Sequence, residues 1–130
     1  MIKKQPTKRY HLILDAVEVE DKYLIDKEFL KNFLEQATKL VNMKILYGPI
    51  VVEGVPENPG LSAFCVIDYS HISIHTFTES KEIYLDVFSC SPFDYSRIEN
   101  YIIKKFNLKP EQIFKSKPEY KQHGLISHIG

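Results

Sequence analysis

The stretch Ser70-His71-Ile72-Ser73-Ile74-His75-Thr76 sets two serines and two histidines among apolar neighbours. Ser62 lies upstream of it, Glu79 and Cys90 downstream. Hydroxyls and a thiol are nucleophiles and imidazoles move protons near neutral pH, so these residue types suit nucleophilic and proton-transfer chemistry. Polar side chains placed between apolar strands cost free energy unless they are hydrogen-bonded or used. Each also has an ordinary reading. Ser70 could be a turn serine, His75 a core histidine bonded to a carbonyl, and Cys90 a small buried hydrophobe. Cys65, in mid-strand without polar company, reads as core packing. Glu79 sits in the turn-like Thr78-Glu79-Ser80-Lys81, where solvated charges are routine. Phe64 and Phe77 are either core residues or ring faces for a cationic substrate. His71, His75 and Cys90 are possible metal ligands, but H-x₃-H spacing serves zinc on a helix and no helix is credible here. No metal centre is expected. Neither a Gly-rich phosphate loop nor a G-x-S-x-G elbow is present.

The elements that must position these residues follow from hydrophobic periodicity. Residues 10–17 read as a first strand. Asp26 is a helix N-cap, and Leu30, Phe33, Leu34, Ala37, Leu40 and Val41 recur at helical spacing, giving an amphipathic helix over 26–42. Residues 45–52 form a strand bent near Gly48-Pro49, because proline cannot donate to a ladder. Residues 61–69 and 72–77 read as one strand with a bulge or bend near Ser70, and 82–89 as the next. Pro92 and Asp94 open a second helix with Phe93, Ile98, Tyr101, Ile102 and Phe106 inward; Asn107 ends it. Residues 113–117 supply an edge strand. This order predicts an α+β two-layer sandwich over 1–130, a single domain with a mostly antiparallel sheet and two helices on one face. The other sheet face then needs cover, by a second copy or a substrate. Residues 70 and 75 have opposite parity, so a regular strand sends them to opposite faces. One site holding both requires a backbone bend. His71 and Ser73 share parity with His75, and His71 is given mainly a structural role.

Seventeen basic and seventeen acidic side chains cancel, which argues against a nucleic-acid surface. The lysines of Lys3-Lys4 and Lys8-Arg9 read as a solvated N-terminal arm. No apolar run reaches the length of a membrane span, and no apolar core follows the basic first residues as in a secretory signal. Two cysteines are too few for a disulfide framework. A cytoplasmic, reduced protein is expected.

Taken together, the Ser-His-Ile-Ser-Ile-His-Thr stretch, Ser62 after Gly60-Leu61, and Cys90 in Val87-Phe88-Ser89-Cys90 resemble the short bacterial and archaeal S-adenosylmethionine decarboxylases that use a pyruvoyl cofactor. His11 and Glu79 match further family positions, so the likeness runs from His11 to about Asn107. The chain departs from the pattern in three places. Tyr69 stands where the family has Glu, Phe77-Thr78 replaces Trp-Pro, and residues 53–59 lengthen the loop before Ser62. The resemblance implies self-cleavage between Tyr69 and Ser70, leaving a pyruvoyl group derived from Ser70. It implies processing roles for His75 and Ser62, a proton-donor role for Cys90, and ligand contact by Glu79, with Phe77 and Phe64 as aromatic candidates nearby. The implied substrate is the small molecule S-adenosylmethionine, decarboxylated for spermidine synthesis, and the implied assembly is a homodimer with sites near its interface. Two other readings stay open: a pyruvoyl-dependent ornithine or arginine decarboxylase, and an unprocessed homologue that binds a ligand without catalysis.

Overall fold

The computed structural model describes residues 7–120; the N-terminal lysines Lys3 and Lys4 lie outside the described residues. Its elements in chain order are β1 (Tyr10–Ala16), α1 (Asp21–Leu24), α2 (Lys27–Leu40), β2 (Ile45–Glu53), β3 (Leu61–Ile67), β4 (Ser70–Phe77), β5 (Glu82–Ser89), α3 (Tyr95–Lys105) and β6 (Ile113–Ser116). The six strands form one sheet in the order β2-β3-β4-β5-β1-β6. Every neighbouring pair is antiparallel.

Alternation decides which face of the sheet is buried. Leu12, Leu14 and Ala16 of β1, Ala63, Cys65 and Ile67 of β3, Ile72 and Ile74 of β4, and Ile83, Leu85 and Val87 of β5 point into one core. Onto it α2 lays Leu30, Phe33, Leu34 and Ala37, and α3 lays Ile98 and Ile102. Each fully buried Leu, Ile or Phe contributes about 1.5–3 kcal/mol over leaving it in water. Asp26 caps α2 by accepting from the Phe29 amide, and Asp94 caps α3 by accepting from the Ser96 amide. Pro92 lies exposed in the loop before that cap. The two-layer α+β arrangement is thus the expected one, with the short α1 added on the approach to α2.

One expectation fails. Residues 61–69 and 72–77 are not a single bent strand; they are β3 and β4, folded into a hairpin at Asp68-Tyr69 and paired from Ile67↔Ser70 to Ser62↔His75. The buried positions shift from odd (61, 63, 65, 67) to even (72, 74, 76) across the turn. A change of phase of this kind marks a reversal, and it is visible in the sequence. The bend anticipated in β2 takes the form of register shifts between Ile45, Tyr47 and Ile50. Edge position makes Pro49 tolerable there.

Candidate active site

Ser70 opens β4 directly after the hairpin turn. Its φ is 153°, a backbone region that side-chain-bearing residues rarely occupy and that costs about 1–3 kcal/mol unless the surroundings impose it. Across the ladder Ser70 faces Ile67 on one side and Ser89 on the other. Cys90 follows Ser89, and its amide donates to the Tyr69 carbonyl at 2.9 Å. The carbonyl that precedes Ser70 therefore meets a fixed main-chain donor. Ser89 holds this corner. It is fully buried, and its hydroxyl donates to the Ser91 carbonyl at 2.7 Å while accepting from the Ser91 amide at 2.9 Å. The resulting loop leaves Cys90 exposed.

Ser62 and His75 form a second group. They face each other across β3 and β4, and Ser62 Oγ lies 2.7 Å from His75 Nδ1. Two features hold them. Gly60 has φ 150°, and a Cβ there would stand 1.9 Å from the Thr76 carbonyl oxygen, so only glycine admits this approach of β3 to β4. Thr76 is buried; its hydroxyl accepts from the Leu61 amide at 2.9 Å and donates to the Leu24 carbonyl at 2.8 Å. Sequence reasoning passed over Thr76 and Ser89. A threonine and a serine at core-phase positions of strands were the available signal.

The bend that would unite Ser70 with His75 is absent. β4 keeps unbroken register from Ser70 to His75 against β3 and from Ser70 to Phe77 against β5, so the two residues fall on opposite faces. At about 3.3 Å per residue they are also roughly 16 Å apart along the strand. One chain therefore presents Tyr69, Ser70 and Cys90 at one end of the sheet, and Ser62 with His75 at the other, on the face without helices.

That open face is organised in rows. His11, Phe88, His71 and Val66 line up across β1, β5, β4 and β3; Ile13, Asp86, Ser73 and Phe64 make the next row, and Asp15, Tyr84, His75 and Ser62 the third. Phe64 stacks on His71 with centroids 5.7 Å apart, and Phe77 packs on Tyr84 at 4.6 Å. Both phenylalanines thus engage other rings of the sheet face. Glu79 is exposed in the turn joining β4 to β5. Cys65 is fully buried with Thr38 Oγ1 at 3.9 Å, and burial pushes its thiol up from the ordinary value. Among the described residues no helix is long and apolar enough to cross a membrane.

A family model described as S-adenosylmethionine decarboxylase matches residues 10–117. The S-adenosylmethionine decarboxylase proenzyme of Thermodesulfovibrio yellowstonii is 35% identical over 120 residues, 91% of this chain and 82% of that protein. The arginine decarboxylase proenzyme of Caldivirga maquilingensis is 32% identical over 102 residues, 76% of this chain and 75% of that one. The crystal structure of the adenosylmethionine decarboxylase from Aquifex aeolicus superposes with a TM-score of 0.73 at 28% identity, covering 92% of this chain and 95% of that one.

Proposed function

Because the chain belongs to the S-adenosylmethionine decarboxylase family, we propose that it is a proenzyme that cuts itself between Tyr69 and Ser70 and then decarboxylates S-adenosylmethionine. The observation that carries this reading is the pairing of a strained Ser70 with a Tyr69 carbonyl already held by the Cys90 amide. Attack of Ser70 Oγ on that carbonyl carbon breaks the Tyr69–Ser70 amide and forms an ester. The amide of Cys90 is placed to take the charge that grows on the oxygen. Loss of the Cα proton of residue 70 to a base then expels the Tyr69 carboxylate. Water adds and ammonia leaves, and a pyruvoyl group remains at the new N-terminus. That group would supply the electron sink for loss of carbon dioxide, and Cys90, exposed and next in the chain to the Ser89 that pairs with Ser70, would return a proton to the substrate carbon.

The base is assigned to His75, held by Ser62. Its distance from Ser70 within one chain makes the partner copy the source: two molecules docked through their open sheet faces, in opposite directions, bring the Ser62–His75 pair of each to the Ser70 end of the other. The apolar residues exposed on that face, Phe64, Tyr84, Ile50 and Val52, support the same docking. The product is the aminopropyl donor of spermidine synthesis, and the compartment is the cytoplasm. The kinship with an arginine decarboxylase proenzyme supports a second reading, with the same chemistry applied to a basic amino acid.

Intact-mass measurement of purified protein tests the proposal. Fragments 1–69 and 70–130 are expected, the latter blocked at its N-terminus, and Ser70→Ala should give only the full chain. A wild-type chain that stays whole on prolonged incubation refutes processing and leaves a ligand-binding homologue. Carbon dioxide release from S-adenosylmethionine, compared with arginine and ornithine, decides the substrate.

A further inference from the structure

On the open sheet face, outside the groups assigned above, side chains from three strands and the segment after β6 meet at one carboxylate. Asp86 Oδ1 lies 2.9 Å from His11 Nε2 and 3.8 Å from His71 Nε2. The register explains the sharing: Asp86 sits one row along from the row that holds both histidines, and reaches each diagonally. The carboxylate accepts from Nε2 of His11, which leaves Nδ1 free to accept from the Tyr120 hydroxyl. The His11 backbone amide donates to the Tyr95 hydroxyl at 2.9 Å. His71 stacks between Phe64 and Phe88, with ring centroids at 5.7 Å and 5.5 Å. Phe88 also meets the edge of His11 at 5.1 Å.

His71 is the residue after Ser70, so whatever fixes its ring fixes the far side of the strained Ser70 backbone. A conformation of that cost persists only where its surroundings over-determine it. Ser89 and its loop hold the corner from the helix side. We propose that Asp86, acting through His71 and His11, is the positioning residue that holds it from the open face and aligns the Tyr69–Ser70 peptide for self-cleavage. The proposal rests on the processing reading above. Asp86 touches neither Ser70 nor Tyr69 in this role.

Among the described residues, the other charged and titratable groups at this cluster are Tyr95 and Tyr120, with Arg9 over the Tyr120 ring at 4.3 Å; β3 contributes Phe64 and Val66, and the docking proposed above adds the second copy's Ser62–His75 pair.

The test compares Asp86→Asn and Asp86→Glu in the full chain, with the rate of self-cleavage followed by intact mass and with thermal midpoints recorded alongside. Cleavage is expected to slow by about tenfold or more in Asp86→Asn, in a chain that still folds, and to recover at least in part in Asp86→Glu, which keeps the carboxylate. A wild-type rate in Asp86→Asn overturns the proposal, and so does a slowing that follows a lowered thermal midpoint equally in both variants, which is what a general loss of structure produces. A second arm does not depend on cleavage. In a Ser70→Ala chain, hydrogen exchange at the Cys90 amide reads its bond to the Tyr69 carbonyl, and adding Asp86→Asn should speed that exchange by about tenfold. Unchanged exchange overturns the proposal. A wild-type chain that never cleaves refutes the processing reading instead, and the exchange arm still decides the part played by Asp86.

Discussion

Cys65 and Cys90 bring the same side chain into opposite surroundings, one sealed in the core beneath α2 and the other exposed beside the Ser70 corner. Removing each sulfur should do different harm. Cys65→Ala deletes a buried atom and should cost about 1 kcal/mol, as for a methyl-sized deletion in a core, while fragments and turnover per folded molecule persist. Cys90→Ala should leave stability within about 0.5 kcal/mol and should still cleave, since the donor to Tyr69 is the backbone amide. Its turnover should fall by tenfold or more. A proton delivered to the wrong carbon should also convert the cofactor to an alanine-like adduct and inactivate the enzyme progressively. Fragment formation, thermal midpoint and carbon dioxide release, measured on both variants, check this; full turnover in Cys90→Ala would remove the proton-donor role. The residue types of the site were legible from the start, because serine, histidine and cysteine in apolar strands have few cheap uses. Their geometry was not. Parity places Ser70 and His75 on opposite faces, and only the ladder register reveals that Ser62 meets His75 while Ser70 meets Ser89.

At the scale of elements, strands and helices could be read because alternation and helical spacing are local properties of the chain. The β3–β4 turn escaped because Asp68-Tyr69 carries none of the Gly or Asn-Gly chemistry that announces a hairpin, leaving only the phase shift of the buried positions. Which rows face one another across β1, β5, β4 and β3 depends on that turn, so the Asp86 cluster was invisible without it. A separate consequence concerns β1. Asp15 lies on the open face in the row of Tyr84 and His75, and its carboxyl is pushed up by burial and secondarily by the negative charge of Glu82. A carboxyl raised in the folded state opposes folding once ionised, and the penalty disappears as pH falls below its unfolded value of 3.8. Asp15→Asn should therefore raise the thermal midpoint by a few degrees near neutral pH, with the gain vanishing near pH 3.5. A gain equal at both pH values would mean that the charge is not its source.

For the whole molecule, helices cover one face of the sheet and leave the other with Ile50, Val52, Phe64 and Tyr84 at 40%, 57%, 36% and 41% exposure. A stable interface buries about 800 Å² on each partner, and a six-stranded sheet face is large enough to provide it. Light scattering at micromolar concentration should report a dimer; a monomer counts against the docking described above. Mixing tests the exchange of residues directly. Ser70→Ala and His75→Ala should each fail to cleave alone. Co-expressed, they form a mixed dimer in which one chain supplies Ser70 and the other His75, so fragments of the His75→Ala chain should appear. Their absence from a mixture shown to contain mixed dimers would mean that each chain processes itself unaided.

The bond from the Cys90 amide to the Tyr69 carbonyl joins two main-chain groups. No exchange of side chains at either position deletes its atoms, except a proline at 90, which would remove the hydrogen. Whatever side chain stands at 69, the donor to its carbonyl stays the same, so a tyrosine there in place of glutamate changes what surrounds the proposed cut and leaves the main-chain bond that holds it unchanged.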